Sequence, residues 1–320
     1  MRVLVTGATA PSGEALIRAL LADRAIEHVL AVGLDAQPVL LPASPRLTYR
    51  ACDLTRPRAA HDLLFGQGLA LGIDAIVHGA LHRRASDHGA RVHAQNVETT
   101  RELLTASARH PTVRRFVFVG TAEVYALRAA EPTLLDEDAA LEFDPGAPQW
   151  IRDRVEADLT VCAQLTASAL RPIVLRCAEV IAPGAGSQLW DYLQSRVCLR
   201  PLGFDPMINV LSREDQVRAI QRALASPHVG VCNIAGAETW PLSAIVARWG
   251  RVGLPVPGPM LAPLYRLRSW TVGFEFRYDR NARRFHFGGV VDGRRAEDAL
   301  GYRPTTPIAW PVASHGARLA

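Results

Sequence analysis

The chain has no lysine: all 36 of its basic residues are arginine, set against 31 acidic ones. A guanidinium is planar, permanently charged and chemically unequal to an amine, so a site built on a mobile ammonium is excluded. Cysteine is sparse. Cys52, Cys162, Cys177, Cys198 and Cys232 are odd in number and form no C-x-x-C pair, which argues against a disulfide framework or a dithiol centre. Most sit in apolar runs such as V-L-R-C-A-E-V, where a thiol behaves as a small buried hydrophobe, as in a reducing compartment. Long apolar runs are missing too. None approaches the ~18 residues of a membrane span, and the apolar stretch before the first glycine is too short for a secretion signal, so a cytoplasmic protein is expected. The ten histidines include no i,i+4 pair flanking a glutamate, and His82, His88 and His93 are not expected to hold a metal. No G-x-S-x-G nucleophile elbow occurs. The arginine doublets 83–84, 114–115, 283–284 and 294–295 lie far apart, which leaves no basic stripe for nucleic acid.

What is present is a core-forming chain: 320 residues, 49% of them hydrophobic, with a net charge of only +5. Short β-rich runs alternate with helical patterns through the first 180 residues. Strands are expected at Arg2–Val5, His28–Gly33, Leu47–Ala51, Ala75–Val77, Arg115–Val119 and Pro172–Arg176. Helices are expected at Glu14–Asp23, Ala94–His110 and Trp150–Ala169. Strands separated by crossover helices imply a parallel sheet covered on both faces. The fold class is therefore α/β, a Rossmann-type doubly wound sheet over 1–180 with a smaller C-terminal substrate-binding lobe over 181–320. Within the lobe, 208–236 should return to the core through the helix Arg213–Ala225 and the strand Val229–Ala235. The segments 182–206 and 255–290 should contribute to substrate binding. The second of these mixes Tyr265, Trp270, Phe274, Phe276 and Tyr278 with arginines, a composition suited either to an anionic ligand or to an interface. The acidic run Asp136, Glu137 and Asp138 reads as a solvated loop.

The sharpest local signal is T-G-A-T-A-P-S-G at Thr6–Gly13, between the first strand and the first helix. Glycine makes the tight turn there, and the helix N-terminus offers free N–H groups and a positive dipole end to a pyrophosphate. Asp35 follows the second strand, 22 residues after Gly13, where a carboxylate would hold the adenine ribose. With no arginine following it, Asp35 favours NAD over NADP, because a carboxylate repels a 2′-phosphate. Ala10 occupies the place of the middle glycine and sets a methyl group towards the phosphates.

These residues resemble the extended short-chain dehydrogenase/reductases, specifically the NAD-dependent epimerase/dehydratase branch, over nearly the whole chain. Thr6–Gly13 is similar to the family's phosphate turn, Asp35 to its ribose carboxylate, and C-D-L at Cys52–Leu54 to its adenine-contacting pair, Asp53 and Leu54. I-V-H-G-A at Ile76–Ala80 resembles the strand beneath the nicotinamide ribose, and N-V-E-T-T at Asn96–Thr100 resembles its N-V-x-G-T, with Thr99 for glycine. F-V-G-T-A-E-V-Y at Phe118–Tyr125 puts Thr121 at the family's catalytic Ser/Thr position. P-L-G-F-D-P at Pro201–Pro206, R-E-D-Q-V-R-A-I at Arg213–Ile220, C-N-I-A-G at Cys232–Gly236 and Val291–Pro304 are similar to its C-terminal half. The resemblance implies NAD as cofactor, with Thr6, Gly7, Ala10, Ser12, Gly13, Asp35, Asp53, Leu54, Ala80, Asn96 and Arg154 around it. It also implies a small-molecule substrate and, by analogy, a homodimer.

The family's chemistry uses a tyrosine and a lysine four residues apart on the helix after the Ser/Thr strand. The phenol relays a proton, and the ammonium lowers its pKa and holds the nicotinamide ribose. Here that helix reads P-Q-W-I-R-D-R-V-E, with Trp150 and Arg154 at the two positions. An indole N–H cannot ionise near neutral pH. No tyrosine lies between Tyr125 and Tyr192, so a shifted alignment does not restore the pair. Two readings follow: an NAD-binding protein impaired in Tyr/Lys-type hydride transfer, or an active epimerase, dehydratase or reductase on a sugar nucleotide or similar hydroxyl/carbonyl substrate. In the second, Thr121 and Tyr125 are the catalytic candidates.

Overall fold

The computed structural model describes residues 1–311 except 83, 86, 130, 131, 167, 168, 274 and 275. Arg83 and Phe274 thus lie outside the described residues. Seven parallel strands form the central sheet: β1 (Arg2–Thr6), β2 (His28–Gly33), β3 (Leu47–Ala51), β4 (Ala75–His78), β5 (Arg115–Thr121), β6 (Arg171–Cys177) and β7 (Gly230–Ile234). Their order is β3-β2-β1-β4-β5-β6-β7, the doubly wound arrangement whose strand order reverses between β1 and β4. Alternation along each strand divides the core. Val3, Val5, Val29 and Ala31 pack against Leu16, Ile17 and Leu20 of the helix Pro11–Ala22 and Ile220 of the helix Arg213–Ala225. Leu4, Leu30 and Ile76 face Leu103 of the helix Thr99–Arg109 and Ala157 of the helix Gln149–Cys162. Both faces are covered, as buried parallel strands require.

The first helix shows how the chain aims its open end. Ala10, in extended conformation, stands at the N-cap with no side-chain hydrogen bond, and Pro11 opens the helix. Thr6 pairs with Val32 on one side and His78 on the other. The C-terminal ends of β1, β2 and β4 therefore finish level, directly beneath that helix N-terminus.

The lobe has its own core, built around Tyr192, Tyr265, Phe276 and Phe285. Tyr265, Phe276 and Tyr278 are thus buried packing residues rather than a ligand surface, while Trp270 is 85% exposed. Met207–Leu211 does not enter the central sheet: it lies in a separate three-stranded sheet between Glu238–Pro241 and Glu179–Val180. The helix Arg213–Ala225, capped by Ser212, then carries the chain back to β7. The expected helix Ala94–His110 begins earlier, at Ala90, is wound more widely over Ala94–Glu98 and ends at Arg109. The helix from Gln149 stops at Cys162, and its last expected turns are replaced by hydrogen-bonded turns at Gln164 and Leu165. Glu137, expected in solvent, is buried and accepts the Asn233 N–H at 2.7 Å. All five cysteines are free. No helix among the described residues is long and apolar enough to cross a membrane.

Candidate functional site

A cleft of about 300 Å³ opens over the C-terminal ends of β1, β2 and β4. Its walls include Gly7, Ala10, Asp35, Asp53, Leu54 and Ala80 from the expected set, joined by Arg91, Gln95 and Thr99. Gly7 has φ +72°, and a Cβ there would lie 3.0 Å from the Gly79 carbonyl oxygen, so only glycine lets these backbones approach. At Gly13 a Cβ would meet the Gly7 carbonyl oxygen at 2.1 Å. Gly13 therefore shapes the turn from behind and does not line the cleft. The Asp53 carboxylate accepts from Thr55 Oγ1 at 2.6 Å and Thr55 N at 3.1 Å, and the Thr55 hydrogen bond holds its pKa below the usual carboxylate range. Ser12 Oγ is buried at the helix start without a hydrogen-bond partner. Pro11 removes one N–H from that helix end.

Two expected cofactor residues stand behind the wall instead. Thr6 Oγ1 accepts from the Gly79 and Ala80 N–H groups at 3.2 and 3.3 Å and bonds His78 Nδ1 at 2.8 Å. The Thr100 hydroxyl donates to the Asn96 carbonyl at 2.6 Å and meets His78 Nε2 at 3.0 Å. Thr100 has one proton and has given it away, so His78 carries its proton on Nε2 and accepts the Thr6 hydroxyl at Nδ1. Burial pushes His78 down to about 4, and the ring is neutral. Asn96, 1% exposed, accepts the His82 N–H at 2.7 Å and fixes the loop after β4. Both residues position the cleft without lining it.

Beyond Leu81, which the two walls share, lies a second and smaller hollow of about 60 Å³. Thr121, Glu123, Arg154, Glu179, Ser187 and Gln216 are among its walls. Trp150 is 3% exposed, its Nε1 is buried without a hydrogen-bond partner, and the Arg154 guanidinium stacks 4.9 Å from its ring centre. Arg154 is ion-paired to Glu123. Glu123 in turn faces Arg284 Nη1 at 3.0 Å, and Arg284 is paired to Glu179, whose other oxygen accepts the Ser187 hydroxyl at 2.6 Å. The result is a buried ladder of alternating charge. Desolvation raises the Glu179 carboxyl and pushes Arg284 down to about 9, so its guanidinium remains charged at neutral pH.

The geometry places two further expected residues. Arg154, expected at the cofactor, lines the smaller hollow next to the cleft and is ion-paired to Glu123. Tyr125 was offered as a replacement proton donor, but it lines neither hollow. Its hydroxyl donates to Asn233 Oδ1 at 2.7 Å and accepts from Arg176 Nη1 at 3.1 Å, and burial raises it to about 12. Arg176 is itself clamped by Asp158 at 2.8 and 2.9 Å, so the phenol belongs to a structural network that ties β6 to the helix Gln149–Cys162. Thr121 does line the hollow, and its hydroxyl accepts the Glu123 N–H at 3.2 Å. Sequence reasoning missed Glu123, Glu179 and Arg284. The first two were detectable as carboxylates inside otherwise apolar strand-end motifs.

A doubly wound sheet with a glycine-shaped cleft at its reversal point defines a dinucleotide-fold protein. The profile of the NAD-dependent epimerase/dehydratase family matches residues 3–235, and the chain belongs to that family. An uncharacterized protein of Mycobacterium tuberculosis is 29% identical over 307 residues, which cover 94% of this chain and 80% of that one. A 3-diazoavenalumate denitrifying reductase of Streptomyces is 29% identical over 318 residues, 96% of this chain and 97% of its own. Among solved structures, the UDP-glucuronic acid 4-epimerase of Bacillus cereus, in complex with UDP-glucuronic acid and NAD, superposes with a TM-score of 0.71 at 17% identity, covering 96% and 95% of the two chains. A dTDP-glucose 4,6-dehydratase of Streptomyces venezuelae with NAD bound gives 0.70 at 22%, covering 97% and 94%. At these identities the likeness concerns the fold.

Proposed function

We propose that this protein binds NAD in the larger cleft and lacks the Tyr/Lys-type proton relay of its family. The cleft fits the cofactor on its own terms. Gly7 permits close backbone approach, the N-cap Ala10 of the helix Pro11–Ala22 is on the cleft wall, and Asp35 on the same wall offers a carboxylate to a ribose diol. Asp35 also favours NAD over NADP by charge repulsion. Bound NAD would supply or accept hydride at its nicotinamide. The single observation that carries the proposal is the commitment of Arg154: its guanidinium is buried against Glu123 and Trp150, and among the described residues no phenol lines the adjoining hollow.

A second reading, an active NAD-dependent epimerase, dehydratase or reductase, is supported by the Streptomyces reductase that matches 96% of the chain. It requires the charged ladder to move the proton in place of a phenol. The two readings separate in one experiment. NAD affinity is measured by calorimetry, and turnover is followed at the nicotinamide across a panel of hydroxyl and carbonyl substrates. NAD binding without turnover supports the first reading; hydride transfer by the unaltered protein rejects it. Trp150→Tyr with Arg154→Lys should give little activity by itself, because Glu123 would capture the new ammonium. Adding Glu123→Thr should release it and recover part of the ~10²–10⁴-fold that acid–base catalysis contributes.

A further inference from the structure

The segment 255–290 was suited by composition to an interface as well as to an anionic ligand, and one of its helices presents an apolar face to solvent. In the helix Gly258–Val272, Leu261 and Tyr265 turn into the lobe core, where the Tyr265 hydroxyl donates to the Leu199 carbonyl at 3.0 Å. Met260, Pro263, Leu267 and Trp270 are exposed. Their spacing of three, four and three residues sets them on one narrow stripe of an α-helix. Leu267 is 54% exposed, and Trp270, at 85%, stands proud of the surface instead of lying in a groove. Single exposed apolar residues need no explanation, but four aligned along one helix mark a contact surface. The charge beside the stripe has one sign. Residues 239–274 contain Arg248, Arg251, Arg266 and Arg268 and no aspartate or glutamate. Arg266 flanks the stripe with its side chain 64% exposed. Among the described residues, Asp279 is the carboxylate within 4.0 Å of it, and Asp279 is shared: Arg277 holds it at 2.8 and 3.0 Å, with Arg266 at 3.6 Å and Arg280 at 3.9 Å. Three guanidiniums around one carboxylate leave positive charge in excess.

We propose that this stripe seats the protein on an anionic bilayer surface, with Met260, Leu267 and Trp270 in the boundary between headgroups and acyl chains and Arg266 on the lipid phosphates. An indole and an arginine suit that boundary because each joins an apolar body to a polar tip. The helix then lies in the plane of the interface and does not span it, its other face remaining in the lobe core. A second copy of the chain fits the stripe less well. The midpoint between Met260 and Trp270 falls beside Arg266, so two copies packed stripe to stripe about a two-fold axis bring their Arg266 side chains together. That contact is repulsive, and an anionic surface replaces the repulsion with attraction. A grooved protein partner would cover a side chain lying along the surface, whereas an indole as exposed as Trp270 is shaped to insert.

The test needs neither NAD nor turnover. The chain is mixed with vesicles of phosphatidylcholine alone and with vesicles of an equal mixture of phosphatidylcholine and phosphatidylglycerol. The bound fraction is read by flotation at low and at high salt, and self-association is read by sedimentation velocity without lipid. Binding to the anionic vesicles should exceed binding to phosphatidylcholine by at least roughly tenfold and should weaken as salt rises. The double change Leu267→Ser with Trp270→Ser should lower binding to the anionic vesicles by roughly tenfold or more, since it removes apolar area that the lipid would cover. Arg266→Gln should lower it by about fivefold, the weight of one cation near such a surface. Both variants change outward-facing side chains, so their thermal unfolding should match the parent. Equal binding to the two kinds of vesicle, or binding unchanged in the double variant, overturns the inference. Binding to neither also overturns it and leaves the stripe to a protein partner. Self-association that the double variant abolishes overturns it as well, in favour of a second copy. If the double variant unfolds, Arg266→Gln and the comparison of the two vesicles on the unaltered chain decide.

Discussion

The two halves of the site are built on opposite principles. The cofactor cleft is shaped by backbone: Gly7 and Gly13 bring main chains together where a single Cβ would collide, and a neutral His78 with Thr6 and Thr100 braces its floor. The hollow beside it is shaped by charge, with Arg154, Glu123, Arg284 and Glu179 interlocked and nearly excluded from water. Backbone geometry survives side-chain drift, because it depends on the absence of a side chain. A catalytic pair has no such protection. On the proposed reading, the fold keeps its nucleotide cradle while the chemistry next to it is replaced.

The comparison breaks most sharply at the ladder. Removing one partner of a buried pair strands the other charge, so Glu123→Ala or Arg154→Ala should each destabilise the protein by about 3–5 kcal/mol in urea unfolding. The double change should cost clearly less than the sum. Additive losses would mean the pair is not coupled.

On the cofactor side the corresponding stress is acid. His78 is held neutral, with its folded pKa lowered from 6.5 to about 4. Between those values the unfolded chain binds the extra proton and the folded one does not. The stability His78 secures is thus present above pH 6.5 and lost progressively as pH falls towards 4. The full gap corresponds to roughly 3 kcal/mol. Thermal unfolding from pH 7.5 to 5 should show the decline, and His78→Gln should flatten it. An unchanged slope in that variant would place the acid sensitivity elsewhere.

Two smaller effects sharpen the picture of the cleft. Asp35→Ala should shift the ratio of NADP to NAD affinity upward by roughly tenfold, since it removes a charge facing the 2′-position. Competitive calorimetry reads this directly, and a constant ratio would remove Asp35 from the ribose site. Ala10→Gly should tighten NAD by roughly two- to threefold, by letting backbone approach phosphate without a methyl group between them. A loss of affinity instead would mean that Ala10 supports the helix start.

Much of this organisation was legible in the residues. The run Arg2–Gly13 encodes a buried strand, a glycine turn and a helix start in twelve positions, and that local code needs no tertiary information. Trp150 and Arg154 could be placed because their helix follows the Thr121 strand at fixed spacing. The ladder was not legible in the same way, because its members come from four separate elements: the turn after β5, the helix Gln149–Cys162, the strand Glu179–Val180 and the helix Ala282–Phe287. Only folding brings Arg284 within 3.0 Å of Glu123. Tyr125 misled for a related reason. Its sequence position is next to the site, but the strand ends at Thr121, the tight helical turn Ala122–Val124 intervenes, and the Tyr125 hydroxyl lies on Asn233 and Arg176. The aromatics around Tyr265 suited a ligand site or an interface equally, because composition carries no sign of which face is inward.

The most direct test of a preserved cradle beside a replaced catalytic seat is a crystal structure of the protein with NAD. The account expects the dinucleotide across Gly7 and Asp35, Arg154 still paired with Glu123, and no phenol or amine within hydrogen-bond reach of the nicotinamide ribose. An empty cleft at saturating NAD, or Arg154 released from Glu123 onto the ribose with the Tyr125 hydroxyl turned towards the ring, would contradict it.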